Sequence, residues 1–551
     1  MSGLAPSPRR ALRGYAPLAV VLVAVAAFTS LVPTTGRQVL RAAQVARGPA
    51  TAGGLPGGAA VAGQPSAPGA PGAASGGAGG AGTTSSGGRA TGGSVGTGPT
   101  RCADRALQVQ GDGYSPPCIA FSGNNGGATA KGVTADTIKV TWRLTSDTAT
   151  AGAVQAAVGS GVDITDTPDD IRRTIAGLTD YFNTHYQLYG RKLAVDVYDG
   201  QGSGADELLG AGQDAANADA VTVASQKGAF LDASVGSAPY ADALARRGVI
   251  ATGLDYLSDE WYAARDPYVW GGVSCSQSFR QLADYMSKRI FGGTAVNAGG
   301  GLKGLPRKIA LISPENSFYQ DCVRTFLGAL ATKGNHIVEN LTYALDINTV
   351  SQDTSAIVAK LAADGITTVV CFTDPVSPLF YTAKATQQRY FPEWIVTGVA
   401  ATDSDIAGQQ YDQQQWHHAF GIRTLTENTA RTSSVAYAAF KSARPNQEPA
   451  GLALFGIYAR LLQVALAVQD AGPNLTPQTF AAGYQSYPGG TGLFGAWRGR
   501  PGDHTLLVDA QEVYWDTKAI STYDGLPGTY VATSPRFQVG QWPVGKPPVI
   551  P

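Results

Sequence analysis

Apolar and polar residues follow two periodic patterns from residue 138 onward. Short apolar runs typical of strands occur at 138–144, 193–198, 220–224, 249–253, 308–313, 367–373 and 394–399. Between them lie stretches in which apolar residues recur every three or four positions, as on one face of a helix. Buried strands that alternate with such helices predict parallel sheets covered on both faces, and seven or more strands over roughly 300 residues favour two lobes.

Local signals mark the ends of several predicted helices. Thr167 precedes Pro168 and two aspartates, which is the order of an N-cap, a proline at the first helical position and an acidic first turn. A later helix is predicted over 452–468 and is followed by strands within 503–517. The segment 526–551 is rich in Pro and Gly and is predicted to be a peripheral tail.

The first hundred residues have a different character. Arg9, Arg10 and Arg13 precede the uncharged run 16–32, so segment 1–32 is predicted to be a signal peptide or a single uncleaved membrane anchor. Either alternative places the rest of the chain outside the cytoplasm. Residues 33–100 are mostly Gly, Ala, Pro, Ser and Thr with little charge, a composition that predicts a disordered linker. The segment 101–130 then leads into the folded region.

Charge and cysteine content narrow the class of protein. The formal net charge is zero, which argues against nucleic acid as a partner. Five cysteines suit an oxidising compartment. Cys102 and Cys118 flank a polar loop and are predicted to form a local disulfide, whereas Cys371 lies in an apolar strand and is predicted to be a buried thiol.

Motifs for catalysis are not recognisable in the sequence. The glycine-rich stretch 299–304 lacks the spacing of a P-loop, and the G-x-S-x-G match at 92–96 lies in the predicted linker. His417 and His418 are adjacent, but no further Cys or His stands at metal-ligand spacing near them. We therefore expect no enzymatic activity, no cofactor and no metal.

Several phrases together resemble one protein family. KGVTADTIKV at 131–140 is similar to the first-strand phrase of type I periplasmic-binding-fold proteins, the Leu/Ile/Val-binding family of ABC transporter solute receptors. RKIALISPENSFYQDCVRTFLGALATKGNHIVE and GIYARLLQVALAVQDAGPNLTPQTF resemble later elements in the same order. The resemblance implies an α/β fold of two doubly wound parallel-sheet lobes joined by three crossovers, which close on a small ligand. The first lobe would span 131–271, the second 272–420, and the return crossovers, late helices and terminal strands 421–525.

Candidate ligand residues follow from this fold. Ligands of open α/β sheets lie beyond the carboxyl ends of the strands, so the loops after the predicted strands are candidates. In the first lobe these are Ser225, Gln226, Lys227, Asp255 and Tyr256, and in the second Ser274, Ser276, Glu315, Asn316, Phe318, Tyr319, Asp374, Ala400, Ala401 and Thr402. Lys227 beside Ser225 suggests an anionic group on the ligand, and Asp374 a cationic or polar group.

The remaining cysteines each begin a predicted helix after a second-lobe strand. Because neighbouring parallel strands bring such helix starts together, Cys275 and Cys322 are predicted to form a disulfide near the cleft, with two separate buried thiols as the alternative.

The expected function is that of an extracytoplasmic receptor that delivers a small polar or zwitterionic solute, amino-acid-like or amide-like, to an ABC permease. The membrane would be a partner through the N-terminal helix if that helix is uncleaved. The alternative is a cell-surface sensor or envelope-interaction module with the same fold and no transport.

Overall fold

The computed structural model describes residues 107–119, 121–147, 166–208, 211–345, 350–425 and 429–551. The predicted membrane segment, the predicted linker and Cys102 lie outside these residues. Among the helices of the described ranges, none combines the length and the apolar character needed to cross a bilayer.

The first lobe is built on a five-stranded sheet in the order β2-β1-β3-β4-β5, in which all neighbouring strands are parallel. The strands are β1 (Thr137–Leu144), β2 (Lys192–Asp199), β3 (Leu231–Asp232), β4 (Ile250–Thr252) and β5 (Val269–Trp270). The helices are α1 (Pro168–His185), α2 (Gly204–Leu208), α3 (Gln213–Val221), α4 (Ala238–Ala245) and α5 (Asp259–Ala263). Helix α1 has the predicted cap: Thr167 accepts from the backbone N–H of Asp170, and the Asp170 carboxylate accepts from that of Thr167.

One predicted strand of this lobe is wrong. Residues 220–224 are helical: α3 ends at Val221 and continues as a π-helical turn over Thr222–Lys227. Its small residues, Ala216 and Ala220, are buried against the lobe as one face of a helix. The third strand comes later, at Leu231–Asp232, and is only two residues long.

The second lobe is built on a seven-stranded sheet in the order β14-β13-β10-β9-β8-β6-β7. Strands β6 (Ile309–Pro314), β7 (Glu339–Tyr343), β8 (Thr368–Cys371), β9 (Glu393–Val396) and β10 (Ala419–Arg423) are parallel, and β13 (Asp509–Ile520) and β14 (Pro527–Gln538) add an antiparallel edge. Its helices are α6 (Cys275–Arg289), α7 (Ser317–Ala331), α8 (Val350–Ala363), α9 (Ser377–Gln387), α10 (Asp405–Gln410) and α11 (Gln413–Trp416).

The C-terminal segment is part of this lobe, so the prediction of a peripheral tail at 526–551 is wrong. After β14 the chain runs along α6, where the Trp542 indole is buried and donates to Gln281 (3.0 Å). Farther along, the Ile550 backbone N–H donates to Asn297 (3.0 Å). Proline and glycine content predicted a loose tail because it does not reveal such side-chain anchors.

The chain returns to the first lobe after β10. There α12 (Val435–Ala443) and α13 (Ala453–Ala471) pack on α1, and α14 (Pro477–Ser486) packs on α13. The hairpin β11 (Gly490–Gly492) and β12 (Gly495–Trp497) follows. A last crossover leads to β13. The crossovers after β5 and before β13 are bonded to each other, because Gly271 N–H donates to the His504 carbonyl (3.0 Å) and Leu507 N–H to that of Gly272 (2.9 Å).

Residues 107–119, the lead-in segment, pack against this lobe. The buried Asp112 carboxylate accepts from the hydroxyls of Tyr186 (3.1 Å) and Tyr458 (2.8 Å) and from the backbone N–H of Tyr114 (3.0 Å). Tyr458 belongs to α13, so Asp112 ties the lead-in to the core helix of the lobe.

We expect Asp112→Ala to lower the free energy of unfolding by about 1–3 kcal/mol, because two buried tyrosine hydroxyls lose their acceptor. Urea denaturation followed by circular dichroism measures this. Asp136→Ala is the control, since this carboxylate is exposed, and it should change stability by about 0.5 kcal/mol or less. Equal effects of the two substitutions would contradict the anchoring role of Asp112.

Candidate functional site

A cavity of about 280 Å³ lies between the two lobes, at the carboxyl ends of their strands. The cavity is lined by the loops that follow β3 and β4 in the first lobe and β9 and β10 in the second. The crossovers, α13 and the β11–β12 hairpin contribute the remaining residues. This is the position at which open α/β sheets bind ligands.

Charged groups stand on the first-lobe side of the cavity. Asp255 follows β4 and is exposed to the cavity, and its carboxylate accepts from the backbone N–H of Gly272. Burial raises the pKa of the Asp255 carboxyl, and the positive charge of Arg460 opposes that rise. Burial likewise lowers the pKa of the Arg460 guanidinium, with Asp255 acting against the shift. This wall therefore offers both a carboxylate and a guanidinium.

Arg460 reaches the cavity from α13 because β4 ends in a glycine. Its guanidinium donates to the Gly253 carbonyl (3.2 Å). A Cβ at Gly253 would lie only 2.6 Å from Arg460 Nε, so a side chain there would displace the arginine. Gln463, one turn farther along α13, also lines the cavity, and its side-chain oxygen is buried without a hydrogen-bond partner among the described residues.

Most of the remaining wall is apolar. Helix α13 contributes Leu452 and Phe455, and the β11–β12 hairpin contributes Phe494 and Trp497. Tyr256 lies beside Asp255. The cavity thus joins a charged end to an apolar, largely aromatic body, which is the usual composition of a small-molecule site.

The second-lobe wall is a strained loop after β9. Ala400 and Ala401 both have left-handed backbone conformations, with φ of 51° and 56°. This region is unfavourable for residues that carry a Cβ. The loop is held because Thr424 Oγ1 donates to the Gly398 carbonyl (2.7 Å) and because Asp403 accepts from the backbone N–H groups of Thr424 (2.8 Å) and Leu425 (2.9 Å). Strain of this kind is concentrated at functional sites.

A second arginine, Arg423, lies on this wall at the end of β10. Its guanidinium pairs with Asp405 at 3.8 Å and lies 5.7 Å from the centre of the Tyr530 ring. Arg423 and Asp405 both line the cavity. The second lobe therefore supplies its own pair of opposite charges.

The residues predicted from the sequence are divided between this cavity and other places. Asp255, Tyr256, Ala400 and Ala401 line the cavity. The predicted first-lobe trio does not: Ser225, Gln226 and Lys227 lie on the π-helical turn that precedes β3, at the opposite end of the strand. Lys227 there pairs with Asp196 of β2 (2.8 Å).

The predicted second-lobe residues lie behind the wall or form helix caps. Tyr319 stacks on Tyr256 with ring centres 6.2 Å apart, and Asp374 caps α9 by accepting from the backbone N–H of Val376 (2.8 Å) and Ser377 (3.0 Å). The other predicted residues have local contacts. Asn316 directly precedes α7, and Phe318 packs on Tyr319. Ser276 Oγ accepts from Asp259 N–H (3.1 Å), and Thr402 Oγ1 donates to the Val399 carbonyl (2.8 Å).

Cys275 and Cys322 form a disulfide, as predicted, with Cα atoms 5.8 Å apart. It links the first residue of α6 to α7. Cys118 is also disulfide-bonded; its predicted partner, Cys102, lies outside the described residues. Cys371 is a free, buried thiol, and burial raises its pKa to about 12.

Comparison with known proteins agrees with the fold. The profile of the family described as "Periplasmic binding protein" matches residues 167–519. The chain belongs to the periplasmic binding protein family. No curated protein matches it.

Solved periplasmic binding proteins share this architecture at low sequence identity. A solute-binding protein of an ABC transporter from Rhodopseudomonas palustris BisB5, in complex with 3,4-dihydroxybenzoic acid, has a TM-score of 0.50 and 14% identity over 73% of this chain and 98% of its own. An ABC transporter substrate-binding protein from Sphaerobacter thermophilus has a TM-score of 0.51 and 13% identity, and the match covers 73% of this chain and 98% of the other. A branched-chain amino acid transporter substrate-binding protein from Streptococcus pneumoniae has a TM-score of 0.46 and 12% identity over 72% and 100%.

Membership gives the general role. Periplasmic binding proteins of this type bind small molecules and work with ABC permeases, which fits an extracytoplasmic location. The family is made up of solute-binding proteins rather than enzymes. In the described part of the chain no cluster of His, Cys, Asp or Glu is arranged to hold a metal ion.

Sequence reasoning missed Arg460, Arg423 and the aromatic hairpin. A signal for Arg460 exists: it is the one charged residue between Leu452 and Gln469 of a helix that is otherwise apolar or neutral. An isolated arginine in such a helix must be satisfied inside the protein or at a site.

We expect Ala400→Gly to raise the free energy of unfolding by about 1 kcal/mol, because glycine adopts the left-handed region without a Cβ penalty. Ala329→Gly, within α7, is the matched control and should lower stability by about 1 kcal/mol. Chemical denaturation of both variants measures whether the free energy of unfolding rises at position 400 and falls at position 329. A loss of stability at position 400 would contradict the strain described above.

Proposed function

We propose that this chain is the receptor of an ABC importer for a small zwitterionic solute with an apolar body, bound in the cavity between the lobes. The observation that carries the proposal is that Asp255 and Arg460 both line one end of a cavity whose other walls are mainly apolar.

The charged end suits both groups of a zwitterion. A guanidinium presents N–H donors in a planar fork that matches a carboxylate, and the Asp255 carboxylate suits an ammonium. Because each protein charge already moderates the burial of the other, a ligand that carries one charge of each sign preserves the balance. A ligand with a single charge pairs with only one of these two groups and offers no opposite charge to the other.

The apolar body of the solute would lie along α13 and the hairpin. Phe455, Phe494 and Trp497 form a wall that excludes water, and aromatic or aliphatic groups gain from its burial. A cavity of about 280 Å³ accommodates a solute of amino-acid size but not an extended polymer. The N-terminal segment would hold the receptor at the outer face of the membrane if it is uncleaved.

A matched set of three compounds tests the charge requirement. L-Phenylalanine carries both charges, 3-phenylpropanoate lacks the ammonium and 2-phenylethylamine lacks the carboxylate, while the aromatic body is the same in all three. We expect only L-phenylalanine to raise the melting temperature of the protein in a thermal-shift assay, since a ligand at 100 times its Kd stabilises the folded state by about 2.7 kcal/mol. If only 3-phenylpropanoate stabilises the protein, the ligand is an amphipathic acid and the proposed zwitterion is wrong. If none of the three compounds shifts the melting temperature, the ligand is not an aromatic zwitterion.

Two substitutions then separate the cavity from the site predicted from the sequence. We expect Asp255→Asn, which keeps the shape of the side chain, to weaken L-phenylalanine binding about 5- to 150-fold, equivalent to about 1–3 kcal/mol. Lys227→Ala should leave the affinity unchanged, because Lys227 pairs with Asp196 away from the cavity. Isothermal titration calorimetry measures both, and the reverse result would place the site at Lys227.

A further inference from the structure

The lead-in segment lies between α13 and the β11–β12 hairpin, the two elements that form the apolar wall of the cavity. On the α13 side, Tyr458 donates to Asp112 (2.8 Å) and the side-chain amide of Gln469 donates to Gln108 (2.9 Å). On the hairpin side, contact is made by Gly113 and Tyr114.

Tyr114 is bonded to the hairpin at its turn. Its hydroxyl accepts from the backbone N–H of Phe494 (2.7 Å) and donates to the carbonyl of Gly495 (2.6 Å). Its ring lies 4.6 Å from that of Trp497 and 6.2 Å from that of Phe494, measured between ring centres. The two aromatic residues that Tyr114 holds are the two that the hairpin places on the cavity.

The fit between the two segments depends on glycines on both sides. A Cβ at Gly113 would overlap the carbonyl oxygen of Thr491, and one at Gly492 would lie 2.7 Å from the Tyr114 ring. Gly490 is similarly close to the backbone of Gly113 and Tyr114. The hairpin is thus shaped to the lead-in over its whole length, rather than touched at a single point.

We propose that the lead-in is a positioning element for the binding cavity, in which Tyr114 fixes Phe494 and Trp497 and so sets the shape of the apolar wall. The lead-in lies outside the range matched by the family profile, residues 167–519. The consequence for solute affinity rests on the function proposed above, whereas the positioning of the hairpin does not.

A purely structural role is the alternative to be separated. Tyr114 is almost fully buried, and any change there lowers stability to some extent. Tyr390 is a matched control: it is also buried, its hydroxyl donates to the Ile366 carbonyl (2.8 Å), and it lies in the second lobe away from the cavity. Tyr114→Phe and Tyr390→Phe each remove one hydroxyl and keep the ring.

The first measurement is amide hydrogen exchange of residues 490–497, which needs no ligand. We expect exchange in the hairpin to be at least tenfold faster in Tyr114→Phe than in the unmodified chain, with no such change in Tyr390→Phe. Gly113→Ala, which pushes the lead-in away from β11, should have the same effect as Tyr114→Phe. Unchanged exchange in the hairpin, or a rise spread evenly over the protein, would overturn the proposal.

The second measurement is the affinity for L-phenylalanine by calorimetry. We expect Tyr114→Phe to weaken binding at least fivefold and Tyr390→Phe to leave it unchanged, a difference that a general loss of stability does not produce. If hairpin exchange is faster but the affinity is unchanged, Tyr114 positions the hairpin without affecting solute binding, and that part of the proposal is wrong. If the unmodified chain does not bind L-phenylalanine, the proposed solute is wrong, and hairpin exchange alone decides whether Tyr114 positions the wall.

Discussion

The backbone pairing of the two crossovers fixes the relation between the lobes. Gly271 and Gly272 lie against His504, Leu506 and Leu507, with hydrogen bonds of 2.9–3.1 Å between the two segments. A Cβ at Gly271 would overlap the carbonyl oxygen of Leu254, which follows β4, so this close approach excludes a side chain at Gly271. Because this contact joins the ends of β5 and the approach to β13, it turns the carboxyl ends of both sheets toward one cavity.

Two charged residues near the carboxyl ends of β1 and β3, Arg143 and Asp232, are hydrogen-bonded to partners inside the first lobe. Arg143 is buried and donates to both carboxylate oxygens of Glu207 (2.8 Å each) and to Asp219 (3.1 Å). Asp232 accepts from Thr141 (2.8 Å) and Tyr240 (3.0 Å), and burial raises its pKa despite these bonds. With these charges paired internally, Asp255 and Arg460 are the first-lobe charges that face the cavity.

The architecture could be predicted from the sequence because alternating strands and amphipathic helices impose their period on many residues. β1, β2, β4, β6, β8 and β9 coincide with predicted runs, and the membership in the periplasmic binding protein family was predicted from three phrases. β3 could not be predicted in this way, because a strand of two residues is too short to show an alternating pattern, and one of the two is the buried, charged Asp232. The alanine-rich end of α3 resembled a strand instead.

That one misplaced strand accounts for three of the candidate residues. Ser225, Gln226 and Lys227 were chosen because they follow 220–224, and they lie before β3 rather than after it. Asp255 and Tyr256 lie on the cavity and follow β4, a strand that was predicted. Position after a predicted strand is not sufficient, because Asn316 follows β6 and Asp374 follows β8 and neither lines the cavity. Phe494, Trp497 and Arg460 depend on how α13 and the hairpin pack, which no local pattern reports.

The two walls of the cavity are held in different ways, and this decides where the molecule can adapt. The first-lobe wall is braced from behind by α13, by the internal charge network and by the lead-in with Tyr114. The second-lobe wall is a loop with two alanines in left-handed conformations, held mainly by Thr424 and Asp403. The disulfide between Cys275 and Cys322 makes the start of α6 rigid directly after the first crossover. A rotation of one lobe against the other therefore has to be absorbed in the crossover segments, where a few residues can change φ and ψ without repacking either core.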